Sequence, residues 1–229
     1  MEKGKMVIAI DGPASAGKTT TAKLVAKQLG CIYVDSGIMY RAVAFYLLKN
    51  GIDWRDAERL KSVLDKLNLD IKYDLSDNGN RVFLDGEDVT DRLRTSEVSQ
   101  LSSKIATQKI IRDKLVQLQR EIGKKHSIVM DGRDIGTVVF PDADFKFFLT
   151  ASLEERAKRR WKEMQKKYGP PVGGLEEVKE EIQKRDEVDS TRDIAPLRQA
   201  EDAIVIDTTN LSIEEQALKV IEILHSSPK

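Results

Sequence analysis

The residues Gly12-Pro13-Ala14-Ser15-Ala16-Gly17-Lys18-Thr19 match the spacing G-x-x-x-x-G-K-[ST]. Glycines at both ends let the backbone curl so that successive N–H groups face one anion. Lys18 then reaches the terminal phosphates of a nucleotide, the Thr19 hydroxyl can ligate magnesium, and Thr20 extends the nucleotide-contacting run. The bland alternative is a flexible Gly-rich turn. Against it stands the context, since the apolar run Val7-Ile8-Ala9-Ile10 precedes the loop and a helical stretch from about Gly17 to Leu29 follows.

A second constellation is Asp131-Gly132-Arg133-Asp134, directly after the apolar run Ser127-Ile128-Val129-Met130. A salt-bridged turn needs one acid and one base, and here there are two acids. Arginines recur at 41, 112, 133, 156, 159, 160, 185 and 192. Each alone reads as a solvated helix face. Together they suit the transfer of a phosphoryl group between two phosphorylated molecules, which gathers negative charge. No N-K-x-D guanine-reading motif is present.

These residues have to be positioned by an α/β framework. Strand, helix and strand (Cys31 to Val34) follow within 30 residues, opening a βαβ unit, and further strands are predicted at Phe145 to Leu149 and Ala203 to Ile206. Leu69 to Tyr73 and Arg81 to Leu84 alternate around Asp77-Asn78-Gly79-Asn80, which predicts an antiparallel hairpin inserted into the parallel chain. One long helical region is predicted from about Ser96 to Lys125. Residues 153 to 192 read as helix, Gly/Pro loop and helix, the pattern of a mobile flap. Ser212 and Glu215 form a capping box for a closing helix.

The bulk numbers narrow the partners. The chain has 229 residues, 38 Lys and Arg against 38 Asp and Glu, and one cysteine, Cys31. Zero net charge gives no global attraction to nucleic acid or an anionic membrane. One cysteine forbids an internal disulfide, and no Cys/His cluster suggests zinc. The longest apolar runs are too short for a membrane span or a signal-peptide core. A cytoplasmic protein with no nucleic-acid or membrane partner is expected.

Four segments in order, GPASAGKTT, DSGIMYR, DGRDIGTVVFPDA and KRDEVDSTRDIAPL, resemble bacterial-type cytidylate kinases across essentially the whole chain. The resemblance implies a P-loop NTPase-type doubly wound parallel sheet of about five strands in one domain, residues 1–229. It implies a nucleotide-monophosphate-binding insertion at about 63–100, containing the hairpin, and a helical lid at about 155–190. It implies transfer of the γ-phosphoryl group of ATP to CMP or dCMP, with magnesium, by a monomer.

Residue by residue, the resemblance gives Ser103 and Asp134 to the cytosine amino group, Arg112 to cytosine N3, and Asp189 with Arg185 to the sugar. Arg41, Arg133 and Arg192 would clamp the acceptor phosphate, with Ser36 close by. Lys18, Arg133, Arg156, Arg160 and Arg192 would neutralise the transferring charge, and Thr19 with Asp131 would face the metal. Asp189 and Arg192 also have a plain reading as a local helical salt bridge, and Asp131 as a turn-stabilising acid. Tyr40 and Trp161 read as packing or lid residues, and His126 and His225 receive no role. Two other readings remain open: a P-loop kinase for another nucleotide or metabolite, and a catalytically silent nucleotide-binding switch whose partner binds the hairpin.

Overall fold

The computed structural model describes residues 5–74, 79–169 and 173–226. Five strands, β1 (Val7–Asp11), β2 (Ile32–Asp35), β6 (Ile128–Asp131), β7 (Phe145–Thr150) and β8 (Ile204–Asp207), form a parallel sheet in the order β2-β6-β1-β7-β8. β1 and β6 are buried almost throughout, and their near-continuous apolar runs are what a sheet covered on both faces requires. Helices α1 (Lys18–Leu29) and α8 (Ile213–Ser226) cover one face around Ile8, Ile10, Val129 and Phe147. The other face packs Ala9, Val34 and Met130 against α2 (Ser36–Lys49), α3 (Ala57–Lys66), α4 (Ser96–Ile105) and α5 (Lys109–Lys125).

The register brings Ile10 and Asp35 both opposite Asp131, so β1, β2 and β6 end side by side, each on an aspartate: Asp11, Asp35 and Asp131. In a doubly wound sheet, the crevice beyond the carboxyl ends, where strand order reverses, is where ligands bind. Here that crevice lies beyond β1.

The hairpin is present as β3 (Leu69–Asp74) and β4 (Gly79–Leu84); the predicted turn residues Asp77 and Asn78 lie outside the described residues. A third strand, β5 (Glu87–Asp88), joins β4 through Asp85-Gly86, both at positive φ (50° and 84°), the geometry of a tight hairpin turn. The predicted long helix is two helices, α4 and α5. Thr107 turns its hydroxyl onto the Lys104 carbonyl, and the chain restarts at Gln108. In one continuous helix Ile105 and Ile111 would point about 120° apart. The break lets both be fully buried.

Helices α6 (Leu153–Tyr168) and α7 (Leu175–Thr191) form an antiparallel pair, and Ala157, Val178 and Ile182 close around Ala14 of the Gly-rich loop. Residues 170–172 of the predicted Gly/Pro loop lie outside the described residues. Ser212 and Glu215 exchange the capping-box hydrogen bonds at 3.2 and 2.7 Å. Among the described residues no helix is long and apolar enough to cross a membrane.

Candidate active site

The loop after β1 needs glycine at its first position. Gly12 has φ 146°, and a Cβ there would collide with the Leu149 carbonyl of β7. Gly17, at φ 89°, turns the chain into α1. Lys18 is buried, and its Nζ donates to the Pro13 carbonyl at 2.6 Å, closing the loop on itself. Burial and the neighbouring charge of Arg133 hold the amine well below the usual lysine range. The Ala16 carbonyl accepts from the Thr208 hydroxyl at 3.1 Å, while Ser15 is half-buried and Thr20 lies exposed on α1.

Ala14 is gripped from the α6–α7 pair. Its N–H donates to Asp186 Oδ1 at 3.0 Å, its carbonyl accepts from Arg156 Nη1 at 3.0 Å, and Arg156 and Asp186 pair with each other. Arg156 thus reaches the phosphate loop, but it is buried and holds the loop's backbone. Arg159 turns to the Thr208 carbonyl and hydroxyl. Arg160 is exposed and pairs with Glu163 at 3.0 Å, so the structure does not bring it onto the loop.

Beyond the strand ends the cations converge. Arg41 pairs with Asp35 at 2.8 Å, and Arg133 with Asp189 at 2.8 Å. Burial and the charges of Arg133, Arg41 and Arg160 push the Arg185 guanidinium down to about 10. Among the described residues, Arg41 Nε, Arg185 Nε and Arg192 Nη2 are buried with no hydrogen-bond partner. Buried donors on cations that repel one another are costly unless an anion takes them. Arg133, Arg185, Arg192 and Asp189 thus lie together. Burial opposes ionisation of Asp189, yet the three guanidiniums hold its carboxyl below the usual range.

On the adjoining wall Arg112 and Asp134 form a buried ion pair. Asp134 Oδ1 faces Arg192 at 3.6 Å, beyond hydrogen-bond length, and so stays open to a donor. Arg112 also reaches the Ala106 carbonyl at 3.5 Å, at the end of α4, one turn beyond the half-buried Ser103. The Ser36 hydroxyl is spent on the Asp131 carbonyl at 2.7 Å, which places Ser36 beside the site but fixes its donor. Tyr40 is half-buried under the Arg112 guanidinium, as a packing residue would be, and Trp161 bonds to the Gly173 carbonyl within the α6–α7 pair.

Thr19 and Asp131 are brought together across the loop. The Thr19 hydroxyl donates to Asp131 Oδ2 at 2.9 Å, and Tyr33 donates to Oδ1 at 2.8 Å. Burial and the charge of Asp35 raise the Asp131 carboxyl. A hydroxyl and one carboxylate are hard oxygen donors that suit a magnesium ion completing its shell with water and phosphate oxygens. Among the described residues no group of three or more His, Cys, Asp or Glu could hold a metal, so such an ion would depend on the nucleotide.

Sequence reasoning missed Asp11, Tyr33, Asn80 and Asp186. Asn80 of β4 accepts from the Asp35 N–H and donates to the Tyr33 carbonyl, tying the small sheet to the edge of the large one. The one available signal was that Asp11 and Asp35, like Asp131, each follow a short apolar run.

Comparison with known proteins agrees with this geometry. The family model described as cytidylate kinase matches residues 8–226. The cytidylate kinase of Caldicellulosiruptor bescii is 50% identical over 225 residues, covering 98% of each chain. That of Bacillus subtilis is 49% identical over 222 residues, covering 97% of each. The solved structure of an uncharacterized protein from Eubacterium ventriosum shares the fold, with a TM-score of 0.54 at 13% identity over 97% of this chain and 100% of that one. With so much of its length matched, the chain belongs to the cytidylate kinase family.

Proposed function

We propose that this chain transfers the γ-phosphoryl group of ATP to CMP or dCMP, giving ADP and CDP or dCDP. The observation that carries this reading is the cluster of buried guanidinium nitrogens of Arg41, Arg185 and Arg192 that have no hydrogen-bond partner among the described residues, beside a phosphate loop. A nucleotide-binding switch has no use for a second anion site. The adjoining Arg112–Asp134 pair offers a donor next to an acceptor, and cytosine presents the complementary N3 acceptor and N4 donor. Uracil reverses both positions, so it would leave buried charges mispaired.

In this mechanism the amides of Gly12 and of Ser15 to Thr19, with the Lys18 side chain, hold the ATP phosphates, and Arg41, Arg133 and Arg192 hold the acceptor phosphate in line. Asp189 and Arg185 face the sugar. The acceptor phosphate has a second pKa of about 6, so its oxygen is largely ionised at neutral pH and needs no side-chain base. Thr19 and Asp131 would hold magnesium, which when bound adds charge neutralisation on the phosphates. Catalysis rests on positioning and on cations placed before the reaction begins. Residues of about 63–100 would close on the monophosphate and those of about 155–190 on ATP, excluding water from the transfer. A cytoplasmic monomer suits two diffusible substrates.

A panel of acceptors (CMP, dCMP, UMP, AMP and a phosphorylated sugar) with ATP and magnesium, read as ADP release, tests the reading. CMP and dCMP should dominate. ADP release with another acceptor alone would point to a different kinase, and ATP binding without acceptor-dependent release would point to a switch.

A further inference from the structure

We infer that Asp11 is a positioning residue for base recognition: it caps the turn after Asp134 in that residue's place, and so leaves the Asp134 carboxylate to the substrate. Residues Ile135–Val139 form a single π-helical turn whose first bonds, from the Val138 and Val139 N–H groups, end on the Asp134 carbonyl at 2.9 and 3.1 Å. Asp134 is therefore the N-cap residue, where aspartate ordinarily bends its side chain back onto the first free amides. Among the described residues two other aspartates show this behaviour. Asp35 caps α2 through the Ile38 N–H, and Asp56 caps α3 through the Arg59 N–H, both at 3.0 Å.

Asp134 makes no such bond. The free amides go instead to Asp11, at the end of β1, with one carboxylate oxygen for each: Ile135 N–H to Oδ1 at 2.8 Å and Gly136 N–H to Oδ2 at 2.7 Å. Asp11 is buried, with both carboxylate oxygens taken by these amides. Relieved of capping, the Asp134 carboxylate points away to Arg112 and Arg192. Because Asp11 directly precedes Gly12, one carboxylate also ties the start of the donor loop to the base-reading turn.

Asparagine at position 11 has one acceptor oxygen and an amino group, so it can serve only one of the two amides. The other would be left facing a donor, and the local replacement acceptor is the Asp134 carboxylate. This inference rests on the reading that Asp134 takes the cytosine amino group, and the test separates the two. Asp11→Asn, Asp134→Asn and the double variant are assayed as full chains for kcat/KM with CMP and with UMP at about pH 9, where an Asp11 carboxyl pushed up by burial to about 7 is ionised. ATP affinity without acceptor is measured alongside.

Asp11→Asn should lower the CMP-to-UMP ratio by about tenfold or more, the effect of one mispaired hydrogen bond to a charge, with ATP affinity little changed. The double variant should discriminate no worse than Asp134→Asn alone. If Asp134→Asn collapses the ratio while Asp11→Asn leaves it intact, or if Asp11→Asn weakens ATP and CMP alike, the inference is overturned. If Asp134→Asn leaves the ratio intact, the base-reading assignment itself has failed. Should Asp11→Asn not fold, hydrogen-exchange protection of the Ile135 and Gly136 amides decides. It should be kept in Asp134→Asn, and its loss would show that Asp134 caps its own turn.

Discussion

Arg112 and Asp134 are paired with each other inside the protein before any base arrives, both side chains almost wholly buried. Breaking such a pair by removing one partner leaves an uncompensated buried charge, at a cost of about 3–5 kcal/mol. Arg112→Met and Asp134→Asn should therefore each destabilise the fold, and the double variant should be more stable than the Arg112→Met single. Urea unfolding of the three variants checks this. In the same variants turnover with CMP should fall by about a hundredfold or more while ATP affinity holds, because only the acceptor side loses its readout.

How much of this arrangement could be read beforehand depended on whether local backbone or distant partners set each feature. The phosphate loop was legible because its curl demands glycine at 12 and 17 and a strand and helix on either side. The hairpin was legible from alternation, yet β5 was missed although Asp85-Gly86 carries the same kind of turn signal, because a two-residue strand has no pattern of its own. The break between α4 and α5 was illegible, since Thr107 is an ordinary helix residue until its hydroxyl takes the Lys104 carbonyl. Asp11 and Asp186 were missed for a different reason: their partners lie 124 and 172 residues away, and no local spacing announces them.

Lys18 is a buried cation held below its normal pKa by burial and by Arg133. Lys18→Met should cut turnover by about 10²–10³-fold or more, as the loss of one preorganised charge at the transferring group does. The same change removes an unfavourable buried charge, so the melting temperature should stay level or rise. The sign of the proton balance follows too. Bound ATP brings negative charge to the amine and raises its pKa, so binding followed across about pH 7.5 to 10 should take up protons wherever the free amine titrates. Calorimetry in two buffers of different ionisation enthalpy would detect the uptake in the unaltered protein, and Lys18→Met should abolish it. Equal uptake in both would show that another group titrates.

Asp186 joins α7 to the phosphate loop through the Ala14 N–H and balances the buried Arg156. Asp186→Ala should leave that guanidinium and that amide short of a partner, at about 1–3 kcal/mol. The loss should be local. Hydrogen exchange across residues 175–191 should accelerate while the strands of the central sheet keep their protection. Unchanged exchange in α7 would mean that the apolar contacts of Ala14, Ala157, Val178 and Ile182 hold the helix pair by themselves.

Asp11 makes a prediction about pH that runs against the usual behaviour of carboxylates. Burial pushes its carboxyl up to about 7, opposed by the amides of Gly136 and Ile135 and by Lys18, and assisted by the charge of Asp134. The unfolded chain releases this proton near pH 4, as an ordinary aspartate does. Between about pH 4 and about pH 7 the folded state therefore holds a proton that the unfolded state has lost. The stabilisation that this provides is complete below the unfolded pKa and disappears as pH rises through the folded one. Asp11→Asn imitates the protonated side chain and has no proton to lose. Across that window the unfolding free energy of the unaltered protein, taken relative to Asp11→Asn, should decline with a slope of up to about 1.4 kcal/mol per pH unit. Urea unfolding of both proteins at about pH 5, 6, 7 and 8 measures the difference, and parallel pH profiles would show that the Asp11 carboxyl is ionised in the fold throughout.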